Sequence, residues 1–139
     1  MNLSGHWKGI ILYGPEYGDW ENKELLFEMT IKQTGDTFTA IAIDTGGIGC
    51  NPDEAEINGF ISGDNISFTK QYKSTLTYDE QGQVIVLKNK PSPIVEYTGS
   101  FDSLLDKVSG DWQIDVLIKQ LKDEWLDETF TGLWTMTRN

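Results

Sequence analysis

Apolar residues recur at every second position along much of this chain, and that period limits what it can fold into. Leu25, Phe27, Met29 and Ile31 alternate with Glu28, Thr30 and Lys32. Ile66, Phe68 and Tyr72 alternate with Ser67, Thr69 and Gln71, and Trp112, Ile114, Val116 and Ile118 with Gln113, Asp115 and Lys119. A strand turns successive side chains to opposite faces, so each run describes a sheet with one face on a core and one in water. Weaker runs complete a set at residues 5–13, 24–33, 37–44, 55–62, 65–73, 83–88, 94–101, 110–118 and 129–137. Thr34-Gly35-Asp36 and Ser62-Gly63-Asp64-Asn65 leave room only for tight antiparallel hairpins. In the third run Phe38, Ala40 and Ala42 oppose Thr39, Ile41 and Ile43, and either set suits a core. Leu117, Leu121 and Trp125 also fall at helical spacing, so residues 116–126 read as a short helix or as a long hairpin.

A second regularity selects closure. Gly5-His6-Trp7, Gly99-Ser100-Phe101, Gly110-Asp111-Trp112 and Gly132-Leu133-Trp134 each set a glycine two residues before a large aromatic, on the same face. An inward glycine lets a strand coil and leaves volume for a neighbour's ring, the small-with-large pairing that a tapering barrel needs. The expected fold is all-β, a closed antiparallel up-and-down meander barrel of about eight to ten strands forming one domain over residues 1–139. The opening Ser4-Gly5-His6-Trp7 and closing Thr131-Gly132-Leu133-Trp134 resemble the first and last strands of calycin-type barrels: lipocalins, avidins and fatty-acid-binding proteins. That resemblance implies a barrel with an interior site. It does not extend to ligand motifs, since no string looks like the polar biotin-binding residues of avidins. The paired arginines of fatty-acid-binding proteins are missing too, Arg138 being the one arginine.

Charge narrows the partners. Lys and Arg total 11 against 22 Asp and Glu, a formal net charge of -11, which opposes phosphate backbones and anionic membranes. Neither a nucleic-acid nor a membrane partner is expected. The opening residues show no basic stretch followed by an apolar run, and no stretch is apolar enough to span a bilayer. Cys50 is the one cysteine, which leaves no internal disulfide and no cysteine-based zinc site. A cytoplasmic setting follows as the expectation.

In a simple meander the long connections 14–23, 45–54, 74–82 and 102–108 gather at one end, with the tight hairpins and residues 89–93 at the other. The long-loop end then carries Glu16, Asp19, Glu21, Asp53, Glu54, Asp79, Glu80, Asp102 and Asp106, an acidic mouth that favours a neutral or cationic, partly apolar guest. Trp7, Phe68, Tyr97, Trp112 and Trp134 point inward as core or as ligand contacts. Lys70 shares the face of Ile66, Phe68 and Tyr72, where an ammonium needs a partner, a ligand or an escape to water at the strand end. Trp20, with Tyr17 in the first long loop, forms a lid or a rim anchor. The expected ligand-binding set is therefore Trp7, Trp20, Phe68, Lys70, Tyr72, Tyr97, Trp112 and Trp134.

Enzyme signatures are sparse. His6 is the one histidine and faces opposite Trp7, no Gly-x-Ser-x-Gly turn occurs, and the glycines of residues 45–52 lack the Lys-Ser/Thr of a phosphate loop. Asp44, Asp53, Glu54 and Glu56 offer oxygen ligands without the order of an EF-hand. No catalytic residue, metal site or cofactor is therefore assigned. Three functions remain: a small-molecule binder, an enzyme using Lys70, Tyr72 or Tyr97 with loop carboxylates, and a homodimer joined through the outward Ile10, Leu12, Ile41, Ile43 and Phe60.

Overall fold

A computed structural model describes residues 1–78, 81, 83–121 and 124–138, without side chains at 76–78, 84, 116–121 and 124–127. Its strands are β1 Gly5–Tyr13, β2 Glu24–Thr34, β3 Thr37–Gly47, β4 Ala55–Ser62, β5 Asn65–Tyr72, β6 Thr75–Tyr78, β7 Val84–Leu87, β8 Val95–Asp102, β9 Lys107–Leu121 and β10 Glu124–Arg138. Eight of them close into a barrel in the order β1-β10-β9-β8-β5-β4-β3-β2, with antiparallel pairing throughout. The all-β, up-and-down closed barrel expected from the alternation is the observed architecture.

Alternation becomes burial directly. In β2, Leu25, Phe27, Met29 and Ile31 are buried between exposed neighbours, and in β3 the inward set is Phe38, Ala40, Ala42 and Asp44. That settles the third strand: Ile41 and Ile43 face outward and are exposed, as is Phe60 on β4, while Ile10 and Leu12 are half-buried. The glycines sit across from rings, as Gly9 opposes Phe27, Gly59 opposes Phe68, Gly132 opposes Trp112 and Gly110 opposes Trp134. A Cβ on Gly132 would lie 2.4 Å from the Trp112 indole, and one on Gly59 2.5 Å from the Phe38 ring. The three core indoles are satisfied, with Trp7 donating to Leu3 O, Trp112 to Leu133 O, and Trp134 to Thr98 O and Asp111 O. Packing is their evident task.

Two expectations are corrected and one open alternative is decided. Residues 83–88 do not form a barrel strand, because β7 pairs only with β6 in a separate two-stranded ribbon between β5 and β8. At four residues each these strands span about 13 Å, short of a barrel wall whose other strands have eight or more. Residues 116–121 and 124–126 are strand: β9 and β10 pair out to Leu121 opposite Glu124, with a bulge at Leu126/Asp127, so of the two readings the long hairpin is the observed one. Taking β6 and β7 out of the wall also moves the connection 102–108 to the end that holds the tight hairpins, and puts the paired ends of β9 and β10, Leu121 and Glu124, at the other.

The hairpin end is closed. Leu3 is fully buried beneath it, Gln33 fixes the opening segment by accepting from Leu3 N and donating to Met1 O, and Gln33 N donates to Ser4 Oγ. Arg138 stacks its guanidinium 4.4 Å over the Trp7 ring, donates to Ser4 O and Asn2 O, and pairs with Asp106 at 3.0 Å. The opposite end is the mouth, formed among the described residues by 14–23, 48–54, 73–78, 81 and 83–94 and by the paired ends of β9 and β10 at Leu121 and Glu124. No helix among the described residues is long and apolar enough to cross a membrane.

Candidate functional site

Below the mouth the inner faces of β1, β2, β5, β8 and β9 leave a cavity of about 140 Å³. Ile11, Leu25, Val95 and Ile114 supply its apolar wall, and Tyr13, Tyr72, Tyr97, Trp112 and Lys70 its polar and aromatic one. The site exists because β5 reads Ile66, Phe68, Lys70 on its inward face, so alternation carries an amine to a depth where Lys70 is 2% exposed. Larger concavities, up to about 590 Å³, are lined by outward residues such as Leu12, Glu96, Asp111 and Leu133 and are grooves of the outer wall.

Lys70 does not escape to water. Its Nζ lies 4.8 Å from the Tyr72 ring centroid, 5.5 Å from that of Phe27 and 5.7 Å from that of Tyr97. Among the described residues it makes no hydrogen bond or ion pair. Burial lowers its pKa to about 8, and the negative field of Asp44 opposes that shift only in part. The Tyr97 hydroxyl also has no hydrogen-bond partner among the described residues, although Tyr97 is buried. Burial raises that phenol well above its ordinary value, with smaller contributions from Asp44, Tyr13 and Tyr17, so it stays protonated at neutral pH. Its ring is held by stacking on Phe68 at 4.6 Å and by the edge of Trp134 at 5.6 Å.

Nearer the mouth Glu16 Oε2 is buried without a hydrogen-bond partner among the described residues, while the polar groups around Asp44 and Asn51 are satisfied. Tyr72 donates its hydroxyl to Asp44 at 2.7 Å, and Asp44 also accepts from Asn51 N at 2.9 Å. Asn51 donates from Nδ2 to Ser74 O and accepts from Ser74 Oγ and Asp53 N, which buckles the β3–β4 connection to the residue after β5 and Lys73. Above the cavity the 3-10 turn Pro15–Trp20 folds Tyr17 and Trp20 back over Tyr13, at 4.7 and 5.2 Å between ring centroids. Tyr13 in turn donates to Ile48 O at 2.7 Å and ties the two loops together. Tyr13→Phe therefore costs about 1 kcal/mol of stability, read from its urea midpoint, because Ile48 O loses its donor.

Of the expected ligand-binding residues, Lys70, Tyr72, Tyr97 and Trp112 line the cavity. Trp7 lies under Arg138 at the closed end, Phe68 and Trp134 pack behind Tyr97, and Trp20 stacks on Tyr17 with its edge toward Gly49. Trp20 and Tyr17 both anchor the first loop, and only Tyr17 reaches the cavity. Tyr13 and Asp44 were missed as site residues: parity along β1 points Tyr13 inward with Trp7 and Ile11, while Asp44 lies on the face of β3 that alternation left undecided. The four carboxylates considered for calcium do not converge, since Asp44 faces in and is engaged by Tyr72 and Asn51 while Glu56 is exposed outside. The described residues hold no group of three or more His, Cys, Asp or Glu side chains placed to bind a metal. Asp102 and Asp106 lie at the closed end, Asp79 and Glu80 fall outside the described residues, and the mouth retains Glu16, Asp19, Glu21, Asp53 and Glu54.

Compared with known proteins, the chain matches no family model, no curated protein and no solved structure.

Proposed function

We propose that the protein is a calycin-like small-molecule binder whose guest is small, uncharged, partly apolar and carries an oxygen that accepts hydrogen bonds. One observation carries the reading: Lys70 and Tyr97 are buried residues whose donors, Nζ and Oη, have no hydrogen-bond partner among the described residues and border one cavity. A guest oxygen between the two would accept from both, each such hydrogen bond being worth about 0.5–1.5 kcal/mol. The acidic mouth alone favours a neutral or cationic guest. The buried amine removes the cationic half of that preference.

Size sharpens the class. A cavity near 150 Å³ holds a benzene-sized molecule, whereas drug-sized ligands take about 300–1,000 Å³. At about 140 Å³ the site suits a single ring with a short polar substituent, and long acyl chains do not fit. Benzyl alcohol is the probe. Titrated into the protein and followed by tryptophan fluorescence and amide NMR shifts, it is expected to saturate with a Kd of about 0.1–1 mM, given its few heavy atoms. Shifts should centre on residues 11–13, 70–72 and 95–97. A linear response, or shifts confined to the outer-wall grooves, would overturn the reading.

The Asp44–Tyr72 hydrogen bond beside Lys70 favours a second reading, an enzyme that uses the pair for proton transfer at the same cavity. Consumption of a bound guest, seen by mass spectrometry of the supernatant, separates it from simple binding.

A further inference from the structure

The cavity places an amine and a phenol where one carbonyl group can meet both. We propose that Lys70 captures a small aromatic aldehyde as a reversible imine, with the Tyr97 hydroxyl acting on the aldehyde oxygen. This rests on the binding reading above and goes beyond it, since it assigns a covalent bond and a nucleophile.

The geometry supplies each part. Lys70 Nζ is buried, opens on the cavity and has no carboxylate bound to it among the described residues, so nothing must be displaced before it attacks. Desolvation among Phe27, Tyr72 and Tyr97 is the usual way a lysine becomes a nucleophile near neutral pH. With its pKa near 8, a substantial share of this amine is neutral where a surface lysine is almost wholly charged. Tyr97, fixed against Phe68, keeps its proton and donates it toward the oxygen. The Tyr72 ring also borders the amine, at 4.8 Å, with its hydroxyl engaged by Asp44.

The step balances without an oxidant or reductant. The amine lone pair forms a C–N bond to the carbonyl carbon while the C=O π pair moves to oxygen, which is protonated with Tyr97 as donor. The nitrogen then gives up its protons as C=N forms and the oxygen leaves as water. Aldehyde and amine become imine and water, and Tyr97 recovers its proton from the nitrogen. Hydrolysis reverses the sequence.

Reductive trapping tests it on the full chain. Protein is incubated with benzaldehyde and cyanoborohydride across pH 6–10, and the benzyl adducts are mapped by peptide mass spectrometry. The expected result is one dominant adduct, on Lys70, with an initial rate that rises through about pH 8 and exceeds that of any surface lysine by about tenfold or more. Tyr97→Phe should keep the adduct at Lys70 and slow it by about tenfold or more. Lys70→Met, checked for a native circular-dichroism spectrum, should lose the dominant adduct. Adducts spread evenly over surface lysines overturn the proposal, as does a rate at Lys70 that Tyr97→Phe leaves unchanged. Benzyl alcohol, which has no carbonyl, distinguishes the two failures. If it saturates while Lys70 stays unmodified, the imine falls and the binding site stands; if neither reacts nor binds, both fall.

Discussion

Lys70→Met should make the protein more stable at pH 7, by about 1–3 kcal/mol. Burial lowers the lysine pKa from 10.5 to about 8, so holding the charged form inside costs about 3 kcal/mol, and losing its contacts with the ring faces returns about 0.5–2 kcal/mol of that. Methionine has similar length and no charge to desolvate. The sign of the pH dependence follows from which state holds the proton. Between about pH 8 and 10.5 the unfolded chain binds it and the native barrel does not, so native stability rises with pH through that window, and below about pH 8 the full cost is present. The advantage of Lys70→Met should therefore be largest at and below pH 7 and shrink as pH rises toward 10.5. Tyr72 and Tyr97, whose buried phenols are raised, destabilise both proteins alike at high pH and cancel in the comparison. Urea midpoints at pH 7 and pH 10 read the difference. A variant less stable than its parent at pH 7 would mean that the amine has a strong partner after all.

Gly110→Ala should be the most damaging single methyl in the barrel. A Cβ there would lie 1.9 Å from Thr98 O and 2.5 Å from Gly99 Cα, so the obstruction is backbone of the adjacent strand and no rotamer relieves it. Gly99 and Gly110 face each other across β8 and β9, and the Trp134 ring fills the space beside them. Overpacking a core costs about 1–3 kcal/mol when side chains can yield. Here two strands must part, and the expected loss is more than 3 kcal/mol, enough to remove most of a small domain's stability. Gly63→Ala is the control. Its φ of +61° strains an alanine, but a Cβ there meets nothing within 4 Å, so the loss should be about 1 kcal/mol. Thermal unfolding of both variants should show Gly110→Ala as much the less stable.

These glycines also show how far the sequence could be read. Alternation located β1 and β4 to the residue, because each is bounded by glycine or proline turn chemistry, Gly14-Pro15 after β1, Pro52 before β4 and Gly63-Asp64 after it. It was silent on which face of β3 turns inward, since Ile41 and Ile43 are as apolar as Ala40 and Ala42. Pairing decides: Ala40 and Ala42 lie inward beside Ile31, Ile57, Met29 and Ala55, and small side chains there leave volume for the barrel's inward rings. β7 registered as a strand at 83–88, but β6 and its pairing with β7 in a separate ribbon escaped notice, because a four-residue strand carries too few alternations to show its partner. At residues 116–126 leucine and tryptophan spacing fits two periods, and only pairing with the opposite strand selects one. The site was half legible. Parity put Lys70 inside, but its distance from water depends on how Tyr13, Tyr17 and Asn51 close the mouth, and those contacts join residues far apart in the chain. Parity also put Tyr97 among the expected site residues, as core or ligand contact, but the surroundings of its hydroxyl depend on packing between strands that sequence does not give.

The seam of the barrel runs between β1 and β10, from Trp7 opposite Arg138 to Tyr13 opposite Gly132. Arg138 reaches Ser4 across 134 positions of sequence, the longest-range kind of contact a chain of this length can make. Hairpins such as β2–β3 and β4–β5 can zip as soon as they leave the ribosome, while the seam waits for the final strand. Until then β1 has an unpaired edge and Lys70 stays wet, with the proton affinity of an ordinary lysine. Maturation of the chamber is therefore coupled to the last event of folding. A partly made chain has the strands of the barrel but not yet the dry amine at its centre.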